Sequence, residues 1–124
     1  MRFSPEWEKE IEPGIYSARV AKAEDGESKN GTEMIVLTLE VAVKESSRTV
    51  TDYLVASERL IMKIKSFCQA ANLMKHYENH NLRAQDCLGR SVNVHLIKDD
   101  KWGTKVVEYS GLVSQTKEGD PANV

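Results

Sequence analysis

The residues of this chain best suited to chemistry are cations and aromatics near its reversals. Lys101-Trp102-Gly103-Thr104-Lys105 sets an indole between two ammonium groups in a polar turn. A Trp in that setting has little core to bury into and can offer its face to a flat ring. Lys29 and Asn30, with Lys22 upstream, form a second basic reversal. Between the two reversals, Met34, Val36, Arg48 and Tyr53 fall on strand-like runs. Cations that take phosphates, beside aromatics on which bases stack, make a groove for an unpaired polynucleotide, each stacked base contributing about 1–3 kcal/mol. The acids Asp25, Glu27, Asp99 and Asp100 flank the same reversals and oppose phosphate there.

Covalent chemistry has no comparable support. There is no Gly-rich phosphate loop, no nucleophile elbow and no paired-carboxylate motif in a supporting strand or helix. Asp99-Asp100 falls in a turn, where adjacent acids are ordinary. His76 and His80 have the spacing to share a helix face and hold zinc with Cys68 and Cys87. Cys68, however, belongs to an apolar helix stripe, and the Asn-rich surroundings of the histidines form helix poorly. They read as solvated loop histidines. No catalytic residue, metal or cofactor is expected.

The elements that must position the basic residues follow from periodicity. Residues 15–24 alternate as a first strand, with Tyr16, Ala18, Val20 and Lys22 on one side. Residues 25–32, with an Asp-Gly and an Asn-Gly, are a turn-rich connection. Residues 33–43 form the longest strand, with Ile35, Leu37, Leu39, Val41 and Val43 in strict alternation. A hairpin turn at 44–47 leads to a third strand at 48–55. Residues 57–72 carry Leu60, Ile61, Ile64, Phe67, Cys68 and Ala71 on one helical stripe. Ser57 is the expected N-cap and Asn72 the left-handed C-terminal residue, with Lys63 and Lys65 facing water. Residues 73–88 are irregular, with a short helix at 81–88. Strands at 90–98 and 105–112 follow, the former with Val92, Val94 and Leu96 inward and Ser91, Asn93 and His95 outward.

The order is β-β-β-α-β-β. That predicts an all-β domain with one main helix, a five-stranded Greek-key barrel of the OB-fold type with the helix plugging one end. Residues 1–13 are expected to be an N-terminal arm, 14–112 the barrel domain and 113–124 a flexible tail. The arm contains Phe3 and Trp7, which either tuck onto the body or serve as a swapped arm or stacking residue. In an OB barrel the 28–32 and 99–104 turns flank the face of the second and third strands. Lys22, Lys29, Asn30, Met34, Arg48, Tyr53, Lys101, Trp102 and Lys105 are therefore the expected binding residues.

The 124 residues carry a formal net charge of −2, with four acids and two bases in the first twelve. The ends are acidic and the body slightly basic, a balance that neither requires nor excludes a nucleic acid, because local grooves outweigh net charge. No stretch approaches the roughly 20 apolar residues of a membrane span. The polar, acidic start is unlike a signal peptide. Two cysteines make no disulfide framework, and both read as reduced in a cytoplasmic protein.

Several segments resemble a family of small phage proteins from replication and recombination gene clusters. They are residues 13–16, Ala23-Glu24, and above all Ser28-Lys29-Asn30-Gly31-Thr32-Glu33-Met34 with the strand after it. Residues 63–68 and 86–92 match as well, so the resemblance spans about residues 13–112. Members of that family are generally taken to be single-stranded DNA-binding proteins with an OB fold. The resemblance implies a DNA-facing position for Lys29, Asn30 and Met34, and a bacterial host cytoplasm. Many phage and bacterial single-strand binders end in a strongly acidic tail with a hydrophobic tip, whereas residues 116–124 hold only Glu118 and Asp120. The expected function is sequence-tolerant, non-enzymatic binding of single-stranded DNA. Replication or recombination proteins and a second copy of the chain are further partners to consider. The alternative is a protein-interaction module, an adaptor or inhibitor, built on the same barrel.

Overall fold

The computed structural model describes residues 1, 11–101 and 103–111. Phe3, Trp7, Trp102 and residues 112–124 lie outside that description. Five strands form one antiparallel sheet in the order β3-β2-β1-β4-β5, with β1 Gly14–Glu27, β2 Glu33–Val43, β3 Ser46–Val55, β4 Ser91–Asp99 and β5 Gly103–Ser110. A 3-10 turn, Glu58–Leu60, leads into α1, Ile61–Ala70. Two short helices follow, α2 Met74–Glu78 and α3 Ala84–Cys87. The mostly β character and strand-helix order are as expected, but the sheet is open rather than closed: β3 and β5 are its edges.

β1 is the hub of the sheet. Its first half pairs with β4, from Gly14↔Leu96 to Arg19↔Ser91. Its second half continues along β2 alone, to Glu27↔Glu33. The change is made at Ala21, where the register slips by one residue between Val20↔Leu39 and Lys22↔Thr38. Such a bulge bends the strand and moves every later side chain to the other face. Gly89 and Arg90 hold the bend, since Gly89 N donates to Val20 O at 2.8 Å and Val20 N to Arg90 O at 2.9 Å. Lys22 consequently leaves the side of Ala18 and Val20, against the plain alternation, and joins the outer face with Thr38.

The first reversal is also tighter than composition implied. Asp25-Gly26 stays in β1, and only Ser28–Thr32 turns. Ser28 N donates to Thr32 O at 2.8 Å, and Gly31 takes φ +80°, a left-handed conformation that costs a side-chain-bearing residue about 1 kcal/mol or more. The hydrogen-bonded pairing of Asp25↔Ile35 and Gly26↔Met34 outweighs the turn propensity of the dipeptide.

The core lies between the inner sheet face and α1. Leu37, Leu39 and Val41 of β2, Val92, Val94 and Leu96 of β4, and Phe67 and Cys68 of α1 are fully buried. The Phe67 ring meets that of Tyr109 edge-on, with centroids 5.0 Å apart. The helix stripe is buried only in its second half. Leu60 and Ile61 are 38% and 41% exposed, because the 3-10 turn rotates the entry to α1 away from the sheet. Ser57 makes no side-chain cap, whereas Asn72 does take the expected left-handed conformation at φ 62°. Asn93, expected outward, is buried and donates from Nδ2 to Gly111 O at 3.0 Å.

A buried carboxylate joins the sheet edges. Asp52 points inward on β3 between Val50 and Leu54. It accepts a hydrogen bond from Tyr109 Oη of β5 and an ion pair from Lys63 Nζ of α1 at 2.5 Å. Lys63 therefore does not face water. A carboxylate without partners at this depth would carry an uncompensated desolvation cost, and the two donors offset it. Asp52→Ala is expected to lower the unfolding free energy by about 2–4 kcal/mol, and Tyr109→Phe by about 1–2 kcal/mol, in urea denaturation followed by circular dichroism.

Cys68 and Cys87 are free and buried, and burial pushes their thiols up to about 11 and about 12. A raised thiol pKa favours the folded state only while the thiol of the unfolded chain is also protonated. The associated stability is complete below about pH 8.5 and is lost as pH rises through about 9 to 12. Native protein at pH 8 should leave both thiols unreacted with a disulfide reagent, and urea should release two equivalents.

Candidate nucleic-acid interface

Along the open seam between β3 and β5 runs a cleft of about 750 Å³. Arg48 stands at one end and Val55 at the other, roughly 23 Å apart along an extended strand. Thr104, Lys105 and Val106 of β5 form the opposite wall, and Lys63 and Leu60 the helix side. Three cations, Arg48, Lys63 and Lys105, thus share one cleft, with Asp52 as the carboxylate in its lining. Asp52 is already engaged with Lys63, and Arg48 and Lys105 are the other cations of the lining. Such a grouping of cations is possible although the whole chain is acidic, because local grooves outweigh net charge.

Tyr53 shares this cleft and is 50% exposed. Its outward parity puts it beside Val36 and, one strand further, Glu24. The neighbouring cross-strand row is Thr51, Thr38 and Lys22, so Lys22 shares the outer face with Tyr53, about 12 Å away, two strand spacings across and two residues along. Arg48 is different. It has the inward parity of Val50 and Asp52 and is half-buried at the edge, not on the outer face with Tyr53.

Met34, Lys29, Asn30 and Lys101 are not in the cleft lining. Met34 lines a second pocket of about 310 Å³, which also contains Asp25, Glu33, Ile61, His76 and His80. This pocket has acids where a phosphate would need cations. Lys29 and Asn30 are exposed at the β1–β2 reversal, next to the Met34↔Val55 end of the ladder. Lys101 is exposed in the β4–β5 turn, where its backbone N–H donates to Asp99 Oδ1 at 2.8 Å. The two basic reversals lie at opposite ends of the sheet, the β1–β2 turn beside Met34↔Val55 and the β4–β5 turn beyond Gly14↔Leu96. Trp102 lies outside the described residues.

His76 is on helix α2 rather than in a loop, with Nδ1 3.5 Å from Asp86 Oδ2. Among the described residues no group of three or more His, Cys, Asp or Glu side chains is arranged to hold a metal ion. No helix among them is long and apolar enough to cross a membrane.

Ile11, Leu60 and Lys63 are cleft residues that sequence patterning missed. A signal for Lys63 was present. Asp52 alternates with Val50 and Leu54, and an acid on a buried face requires a cation or donors nearby. The groove assembled here can hold a chain of anionic groups along Arg48 and Lys105 while Tyr53 offers a ring at its margin. Lys105 is exposed on β5, so Lys105→Ala should change folding stability by no more than about 0.5 kcal/mol in urea denaturation. That makes it a clean probe of binding.

No protein-family model matches the chain, and no curated protein matches it.

Proposed function

We propose that this protein binds single-stranded DNA without catalysing a reaction, using an OB-type Greek-key barrel opened along the β3–β5 seam. The strand order supports the barrel reading. Curling β3-β2-β1-β4-β5 onto itself brings β3 and β5 together, and Tyr109 and Asp52 already bond across that gap. The observation that carries the binding reading is the meeting of Arg48, Lys105 and Tyr53 in one cleft from two distant strands. Backbone phosphates would lie along the cations, with bases turned towards Tyr53 and the outer β2–β3 face. Such contacts tolerate any sequence, because every base has a face to stack and every nucleotide a phosphate.

A second reading, a protein-interaction module on the same barrel, draws on Leu60, Ile61 and Met62, which are exposed together at the start of α1. Exposed apolar side chains of that kind suit a protein partner better than a polyanion.

Fluorescence anisotropy of a labelled dT20 decides between the two. The DNA reading expects measurable binding at low salt, weakening as salt rises with a log–log slope of about −0.7 per phosphate contact. Arg48→Ala and Lys105→Ala should each flatten that slope by about one contact. Tyr53→Ala should weaken binding by roughly 1–3 kcal/mol with little change in slope, and so should Trp102→Ala if its indole stacks. Absence of binding even at 20 mM salt overturns the reading and leaves the interaction module.

A further inference from the structure

A second cleft, of about 310 Å³, lies between α1 and β5, lined by Lys65, Ser66 and Gln69 of the helix and by Val107 and Glu108 of the strand. It adjoins the β3–β5 cleft. Lys63 lines both, and their β5 walls are consecutive: Thr104, Lys105 and Val106 belong to the first, Val107 and Glu108 to the second. The passage from one to the other coincides with a bulge. Leu96 pairs with Val106 and His95 with Glu108, so Val107 is an extra residue that bends β5 at the junction. Tyr109 N–H donates to Ser66 Oγ at 3.4 Å and holds the helix alongside the bent strand. Helix and strand run the same way through both clefts, and Leu60 to Gln69 and Thr104 to Glu108 each cover about 13 Å.

We infer that a bound single strand continues past the seam into this second cleft, with Lys65 as a further phosphate contact and Gln69 as a hydrogen-bonding group beside it. The inference rests on the β3–β5 cleft being the DNA site proposed above. Lys65 is half-buried on α1 and makes no salt bridge among the described residues, whereas Lys63 is held on Asp52. A half-buried ammonium in a walled groove is screened less by salt than one on an open surface. Glu108 is the carboxylate of this second lining and opposes a phosphate there, so it limits the affinity of the extension. The consequence is a preference for length. A strand that fills both clefts gains the Lys65 contact, and one confined to the seam does not.

Anisotropy of labelled dT20 on the full chain tests this, with Lys75→Ala as the control, because Lys75 is exposed on α2 and lines neither cleft. Lys65→Ala should bind about fivefold more weakly at 20 mM salt and equally at 200 mM, the change that one lost contact with a slope of about −0.7 produces over a tenfold range of salt. Lys65→Arg should restore the parent slope, and Glu108→Gln should tighten binding. Lys75→Ala should stay within about twofold of the parent at every salt concentration. Acetylation by acetic anhydride, read by mass spectrometry, locates the contact without a mutation: dT20 should protect Lys65 and Lys105 and leave Lys75 reactive. Equal losses from Lys65→Ala and Lys75→Ala, or Lys65 acetylated at the same rate with and without dT20 while Lys105 is protected, overturn the inference and leave the DNA reading standing. A parent protein that fails to bind dT20 even at 20 mM salt removes the DNA reading and this inference with it.

Discussion

One carboxylate sets the shape of this molecule's open side. Asp52 sits on the inner face of an edge strand, where an isolated charge would be costly. Tyr109 reaches it from the other edge strand and Lys63 from the helix, so three elements distant in sequence are tied at one buried point. No backbone ladder is needed to keep β3 and β5 near each other. The contact is made by side chains, and β3 and β5 remain the unpaired edges of the sheet. The cleft runs along this seam, with Asp52 and Lys63 of the tie in its lining.

The bulge at Ala21 has an effect of the same kind at the opposite side of the sheet. β1 must serve β4 with one half and β2 with the other, and a straight strand cannot do both while the sheet curls. Slipping one residue at Ala21 bends β1 and reverses its later faces. Lys22 is thereby delivered to the same outer face as Tyr53, and Gly89-Arg90 brace the bend from the loop before β4. The two devices together, a side-chain tie at the seam and a register slip at the hub, bring cations from β3, β5 and α1 to one groove and leave another on the adjoining face.

Charge distribution explains how an acidic chain can offer a basic groove. Asp25 and Glu33 gather with Met34 in the second pocket, Asp99 and Asp100 stay in the β4–β5 turn, and Asp52 is consumed by its own two donors. Arg48 and Lys105 line the cleft together with Lys63. A net count over the sequence averages these regions and hides the contrast between them.

The strands, the helix and their order were legible from period-two and period-3.6 patterning alone, because burial of one face imposes those repeats regardless of partners. The apolar rows Ile35 to Val41 and Val92 to Leu96 needed no structure to be found. So did Tyr53, Arg48 and Lys105 as candidates, since their chemistry is a property of the residue. Which of the nine candidates come together was decided only in three dimensions. Arg48 departed from the expected face, Met34 lines a second pocket instead of the cleft, and Lys63 left solvent for Asp52. Those outcomes depend on a one-residue register slip, on the rotation imposed by a 3-10 turn and on pairing across tens of residues. Each is a choice between near-equal local alternatives that long-range contacts settle, and a linear pattern carries no information about it.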